Sequence, residues 1–296
     1  MTQAMPIRNC ARVACRVVSA FILAIPIASA SASVSEPTAP KASEPPTEAP
    51  SYWAEGEPRA FVGARGIAGT GYGRVGGSAG YGLPNWQWIG VDSMATHTID
   101  AVMAQAGLRG SFMIIDGMFT LRQTYSFSHR AIGTADRVID GLIARDGVPG
   151  AEYLAIDAGL SGLLPYERLM GTWELSWVRP LSLRANELVL EEIQHVMIGP
   201  GGVWSLKLGL NVALTARKRA YLGAMGEYLH LVGRDEPSVY RLGPALWIGL
   251  TDHTEIGGVL TWPLHSPDQL GFLNGMYGAI GIQYQFATGE PRLAFP

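Results

Sequence analysis

Charged and amide side chains stand at alternate positions of stretches whose other positions are apolar. Successive side chains of a strand point to opposite faces, so these polar groups would share one face of a sheet. The candidates are Arg109, Arg122, Asp157, Glu174, Lys207, Asn211, Glu227, Arg241, Glu255, Gln283 and Gln285. Both signs of charge are present. We therefore expect cross-strand ion pairs or a weakly selective aqueous passage, and not a surface of one sign that draws in sugar acids or phosphates.

Strands with one wholly apolar face must position these groups. In the segment 278–286, Ile280, Ile282, Tyr284 and Phe286 alternate with Gly281, Gln283 and Gln285. The chain is 48% hydrophobic and only 16% charged, below the ~25% of soluble domains, yet no apolar run reaches the ~20 residues of a spanning helix. This combination predicts an all-β transmembrane antiparallel up-and-down barrel, whose strands interleave lipid-facing and lumen-facing residues.

The alternation predicts about twelve strands, an even number as in single-chain barrels. They cover 59–69, 86–95, 101–114, 119–127, 152–162, 168–178, 181–194, 204–214, 219–232, 239–250, 254–264 and 278–286. The segment 181–194 also fits a helix, in which case ten strands is the alternative. We predict a loop at the glycine-rich segment 69–82, a tight turn at Asp116-Gly117 and a short amphipathic helix at 134–145.

Aromatic residues on the apolar face would form two membrane girdles. With both mature termini in the periplasm and a short turn near Pro180, the strand order puts Phe112, Trp204, Tyr240 and Trp262 at the outer rim. It puts Tyr125, Phe127, Trp177, Tyr284 and Phe286 at the inner rim.

The chain begins with the pattern of a secretory signal peptide, which we place at 1–32. Arginines precede an apolar core, and small residues such as Ala28-Ser29-Ala30 follow it. Cys10 and Cys15 precede that core, so the mature chain would have no cysteine. The Pro/Glu/Ser-rich segment 33–58 predicts a disordered periplasmic linker that could contact the cell wall. The barrel would cover 59–286 and a C-terminal tail 287–296.

The residues Gly281, Tyr284 and Phe286 resemble the C-terminal assembly signal of bacterial outer-membrane β-barrels. The chain departs from that signal at Ala279, where a polar residue is usual, and by continuing from Ala287 to Pro296. The resemblance implies a place in the outer membrane of a Gram-negative bacterium. It also implies outer-membrane lipids and the barrel-assembly machinery as partners.

Catalysis is the less favoured interpretation. His230 and Ser238 fall on the outward face of adjacent strands, as a base and a nucleophile would. The His-any-Ser motif of outer-membrane phospholipase A, however, is absent. The six histidines show no metal-ligand spacing, so we predict no metal and no cofactor. A net charge of −3 gives no reason to expect nucleic acid.

The sequence thus predicts a narrow porin-like channel or a structural barrel whose lumen is filled by ion pairs of mixed sign. Two alternatives stay open: a lipid-active enzyme of the phospholipase or deacylase type, and an adhesin or docking surface on the outer loops.

Overall fold

A computed structural model of the protein describes residues 58–84, 87–133, 150–215, 219–251, 253–268, 270 and 276–288. The predicted signal peptide, the predicted linker up to residue 57, the predicted helix at 134–145 and the tail beyond residue 288 lie outside these ranges. All regular structure within them is β-strand. This part of the chain contains no helix long and apolar enough to cross a membrane.

Fifteen strands follow one another along the described chain. They are β1 (Arg59–Gly69), β2 (Tyr72–Leu83), β3 (Gln87–Thr98), β4 (Ala101–Phe112), β5 (Ile115–Ser126), β6 (Ile132–Gly133), β7 (Glu152–Tyr166), β8 (Leu169–Pro180), β9 (Glu187–Glu191), β10 (Val196–Ile198), β11 (Val203–Ala213), β12 (Ala220–Leu231), β13 (Ser238–Gly249), β14 (Thr254–His265) and β15 (Tyr277–Ala287).

Twelve of these strands close into one antiparallel barrel, and β6, β9 and β10 form a separate small sheet. The predicted twelve-stranded barrel is therefore confirmed. Its strands have 11 to 15 residues, and a tilted strand needs about 9–11 to cross the hydrocarbon layer. The barrel closes where β1 pairs with β15, with Ala64 opposite Phe286.

Alternation along the strands gives the barrel an apolar exterior and a polar interior. On β11, Leu208 and Leu210 are more than half exposed on the outside, while Asn211 is fully buried inside. On β15, Ile280, Ile282, Tyr284 and Phe286 all face outward. An exposed apolar surface of this extent suits hydrocarbon as the surrounding solvent.

The two ends of the barrel differ in their connections. We call the end where β1 begins and β15 ends the termini end, and the opposite end the loop end. Connections at the termini end are short, such as 113–114 and 167–168. The longest connections, 127–151, 181–202 and 266–276, all lie at the loop end.

The predicted count of twelve is right although two of its segments are wrong. The glycine-rich segment predicted as a loop is mostly strand β2, where Gly76, Ser78 and Gly80 face the lumen and conceal the alternation. The segment 181–194 is neither a barrel strand nor a helix. It carries β9, whose Leu188 to Glu191 are all buried, so it lacks the single apolar face of a membrane strand.

These two errors explain which rim assignments are wrong. The sequence prediction omitted β2 and added a strand at 181–194. As a result, every strand between these two positions was assigned the opposite direction across the membrane. Phe112, Tyr125, Phe127 and Trp177, which lie in that interval, were therefore assigned to the wrong rim. The structure puts Phe112 at the termini end and the other three at the loop end, beside Trp204, Tyr240 and Trp262. Tyr284 and Phe286 lie at the termini end.

Two predicted turns are also wrong. The β4–β5 turn lies at Met113-Ile114, with Met113 at φ 55°, and Phe112 pairs with Ile115. Asp116 is already in β5, where its carboxylate accepts a hydrogen bond from Arg109 of the adjacent strand β4. The short turn expected after Pro180 is instead the long connection 181–202 at the loop end.

Candidate functional site

The connection between β8 and β11, residues 181–202, folds back into the loop end of the barrel, and we call it the inward segment. Its β9 and β10 form a hairpin with Leu190 opposite Met197. On the other side of β9, Ile132 of β6 pairs with Leu188. All of β10 is buried. This small sheet fills space that an open pore would leave to water.

Apolar side chains of the barrel wall surround the inward segment. Val189, Val196 and Ile198 of the segment share one buried cluster with wall residues at the loop end. Those wall residues are Tyr153 and Ala155 of β7, Val178 of β8, Val203 of β11, Leu229 and Leu231 of β12, and Val239 of β13. Fully burying one aliphatic side chain contributes about 1.5–3 kcal/mol. The segment is therefore packed in place as a core is.

Two buried arginines on nearly opposite walls also hold the inward segment. Nε of Arg122 lies 2.7 Å from Oδ2 of Asp157, and its Nη1 lies 2.6 Å from Oε1 of Glu191 in the segment. Nη1 of Arg241 donates to Oε2 of Glu227 at 2.9 Å. The same guanidinium donates to two backbone carbonyl oxygens of the segment.

Those carbonyl oxygens belong to Gln194, 2.7 Å from Nη1 of Arg241, and to His195, 3.0 Å from Nη2. A buried charge is tolerated only when it is paired and hydrogen-bonded. The segment thus supplies a carboxylate to one wall arginine and two carbonyl oxygens to the other. The wall residues and the segment depend on each other.

A cavity of about 250 Å³ remains inside the barrel. Its polar lining residues are Glu174, Lys207, Glu255 and Gln283, and glycine, aliphatic and aromatic residues such as Gly257, Met225 and Trp247 complete the lining. Nζ of Lys207 lies 2.9 Å from Oε1 of Glu174 and 4.0 Å from Oε1 of Glu227. The cavity therefore presents both signs of charge to whatever occupies it.

The other residues proposed to line the lumen are also at interior-facing strand positions. Arg109 pairs with Asp116, Asn211 donates to the carbonyl oxygen of Met170 at 3.3 Å, and Gln285 is half-buried opposite Arg65. The interior pairs Arg65–Asp92 and Arg109–Asp116 include three residues that sequence reasoning missed. Trp88 and Asp92 lie on the same face of β3. Assigning Trp88 to the interior would therefore have identified Asp92 as an interior residue.

The termini end has a smaller apolar contact inside the barrel. The rings of Phe61 and Trp88 meet edge to face with centroids 5.2 Å apart. Ala287 completes this buried cluster. It lies on the β1 to β3 side, whereas the cavity is lined mainly by β8 and the strands from β11 to β15.

Aromatic residues of the exterior form cross-strand pairs at the loop end. The rings of Trp177 and Trp204 stack with centroids 5.6 Å apart. Those of Tyr228 and Tyr240 lie 5.1 Å apart. Amphipathic rings at this depth suit the membrane interface.

The weak catalytic pair is adjacent but not joined. His230 of β12 lies opposite Ser238 of β13 in the strand register, and both side chains are outward-facing and partly exposed. In the part of the chain that the structure describes, no hydrogen bond connects their side chains. A base that activates a nucleophile needs that contact or a route to it.

A histidine and two carboxylates meet at the loop end, which sequence spacing did not suggest. Nδ1 of His129 lies 3.0 Å from Oε1 of Glu192, and Asp100 is close by. Burial alone would lower the pKa of His129, but the hydrogen bond and charge of Glu192 and the charge of Asp100 raise it overall. Burial lowers the pKa of nearby His195. No short sequence motif links Asp100, His129 and Glu192, since each comes from a different connection.

No protein-family model and no curated protein sequence matches the chain. Among solved structures, the chain is similar to the KdgM porin (TM-score 0.40, 9% identity, 76% of this chain and 99% of that one). It is similar to the NanC porin, with a TM-score of 0.39 and 9% identity over 77% of this chain and 98% of that one. It is also similar to the outer-membrane protein Omp33 of Acinetobacter baumannii, with a TM-score of 0.35 and 8% identity over 77% of this chain and 98% of that one.

These overlaps are too weak to transfer a solute or an activity to this chain. Its class follows from its own geometry: twelve closed antiparallel strands, an apolar exterior and ion pairs inside. The protein is a closed, twelve-stranded antiparallel β-barrel with the apolar exterior of a transmembrane barrel.

Proposed function

We propose that the protein is a narrow channel of the outer membrane whose loop-end mouth is closed by the inward segment in the conformation described. The observation that carries the proposal is the cavity inside the barrel. Side chains do not fill this space: the Glu174–Lys207 ion pair, Glu255 and Gln283 border a volume of about 250 Å³.

The charges of the cavity bear on the kind of solute. Lys207 lies between Glu174 and Glu227, and Glu255 is the other charged residue of the lining, so both signs are present with an excess of carboxylates. A passage lined in this way favours small polar solutes with little charge selectivity. We expect any current to show at most a weak preference for cations.

A structural barrel is the second candidate, and the apolar packing of Val189, Val196 and Ile198 favours it. The two candidates differ in one physical respect: whether the inward segment can leave the lumen. The adhesin alternative relied on an outer loop at residues 69–82, and most of that segment is strand β2. The enzyme alternative has no contact between His230 and Ser238 to support it.

We also propose that the termini end faces the periplasm. The long connections of such barrels lie outside and the short turns inside, and this chain has its long connections at the loop end. On β15, Gly281 faces inward and Tyr284 and Phe286 outward at the termini end, as recognition by a barrel-assembly machinery would need. Contact of the predicted linker with the cell wall stays a proposal.

Planar-bilayer recording on two refolded proteins tests the channel. In the first variant a Gly-Ser-Gly turn replaces residues 183–199. The change is geometrically feasible because Val178 already pairs with Val203 on the adjacent strand. We expect rare or small conductance steps from the wild type and steady ones from this variant.

A matched control places the same Gly-Ser-Gly turn at residues 251–253, at the termini end, and should conduct like the wild type. Heat-dependent gel mobility establishes that each barrel is folded. A folded variant without residues 183–199 that carries no current would overturn the channel and leave the structural barrel.

A further inference from the structure

Three side chains from three different connections meet at the loop end of the barrel. Asp100 lies in the turn between β3 and β4, His129 in the connection after β5, and Glu192 in the turn between β9 and β10. We propose that these three residues bind a divalent transition-metal ion of the Zn²⁺ type. The inference concerns binding and does not depend on whether the barrel conducts.

The geometry of the three groups suits one ion. Their donor atoms all lie within 4.8 Å of one another, and His129 Nδ1 and Glu192 Oε1 are already 3.0 Å apart. Nitrogen and carboxylate ligands bind Zn²⁺ at about 2.0–2.2 Å, which puts ligands of one tetrahedral ion about 3.3–3.6 Å apart. The His129–Glu192 pair would separate by a few tenths of an ångström and the wider donor distances would shorten to reach that spacing, with a fourth position left for water.

Backbone hydrogen bonds hold two of the three residues in place. The amide of Phe127 donates to the carbonyl oxygen of Asp100 at 2.9 Å, and the hydroxyl of Ser126 donates to the same oxygen at 3.2 Å. That hydroxyl oxygen also accepts from the amide of His129 at 3.0 Å. Asp100 and His129 are thus tied together through Ser126, as the ligands of a preorganised site are.

The charges of the cluster also favour a cation. Asp100 and Glu192 bring two carboxylates together, and Glu192 is almost fully buried. Among the ion pairs of the described residues, neither carboxylate contacts an arginine or a lysine; Glu192 contacts only His129. One imidazolium could balance one carboxylate, whereas a divalent ion balances both. An imidazole among the donors favours transition metals over Ca²⁺ or Mg²⁺, which take oxygen ligands.

The position of the site gives the ion a structural consequence. Glu192 belongs to the inward segment, while Asp100 and His129 belong to the rim of the barrel. A bound ion would fasten the segment to the rim. This consequence, unlike the binding itself, rests on the proposed channel.

Calorimetric titration of the folded, EDTA-treated protein in detergent with ZnCl₂ tests the binding. We expect one ion per chain, and His129→Ala and Glu192→Gln should each weaken binding by at least about tenfold. His230→Ala is the matched control because His230 is outside the cluster, and it should bind as the wild type does. Millimolar CaCl₂ should not displace the ion.

Asp100→Asn provides a third variant at a partly exposed turn, should either of the others fail to fold, and it should also weaken binding. The absence of saturable binding by the folded wild type would overturn the proposal. So would unchanged affinity in the folded variants, and displacement by Ca²⁺ would overturn the assignment to transition metals. The zinc titration and the bilayer recordings test the two proposals separately. The recordings compare the two Gly-Ser-Gly variants without added metal, so a failure of zinc binding does not decide whether the barrel conducts.

Discussion

At the residue scale, the most consequential side chain is the fully buried Arg122. It is held between Asp157 of the wall and Glu191 of the inward segment. Removing one partner of a buried ionic cluster leaves the other charges uncompensated, at a cost of about 3–5 kcal/mol. We therefore expect Arg122→Met to lower the free energy of unfolding by that amount in urea titrations of the refolded protein.

Arg184→Met is the control for this prediction. Arg184 is 82% exposed and 3.7 Å from Glu187, and exposed pairs contribute less than about 1 kcal/mol. Equal stability of the two variants would contradict the role assigned to Arg122.

Sequence reasoning reached most interior wall residues but not their partners in the inward segment. Parity along a strand identifies Arg122, Asp157 and Arg241 as inward-facing, because that depends only on local alternation. It cannot identify Glu191 or the carbonyl oxygens of Gln194 and His195. Those contacts join parts of the chain far apart in sequence, and no local pattern records them.

At the element scale, β2 shows why a strand can be missed. Its lumen-facing positions from Gly76 to Gly80 hold small residues and Arg74 is the one charged residue on that face, so Val75 and Tyr81 on the outside have little polar contrast inside. Small residues are needed there because larger side chains would overlap neighbouring atoms. A Cβ added at Gly80 would lie 2.7 Å from the carbonyl oxygen of Ile89 and 3.1 Å from the ring of Phe61.

Gly80→Ala tests this explanation. Overpacking typically costs about 1–3 kcal/mol, so we expect the unfolding free energy to fall by that amount in the same titration. Gly66→Ala is the control, because its new methyl group would meet only the carbonyl oxygen of Arg74 at 3.9 Å. A Gly80→Ala protein as stable as the control would show that β2 does not pack as described.

At the whole-molecule scale, the sequence predicts the β-barrel fold, but it does not predict that the inward segment closes the lumen. Alternation and composition predict a closed barrel, since each strand must satisfy lipid on one face. The inward segment has no such constraint. Leu188 to Glu191 are buried on both faces, and a short buried strand cannot be told from a membrane strand or a helix by periodicity.

The most direct test of the closed lumen is amide hydrogen exchange on the folded protein, read by mass spectrometry. Amides of β9 and β10, such as those of Val189 and Ile198, should exchange as slowly as those of barrel strand β11, because both are buried and hydrogen-bonded. Exposed residues 184–186 of the same connection should exchange rapidly. If β9 and β10 exchange as fast as 184–186, the inward segment does not close the barrel and the account is wrong.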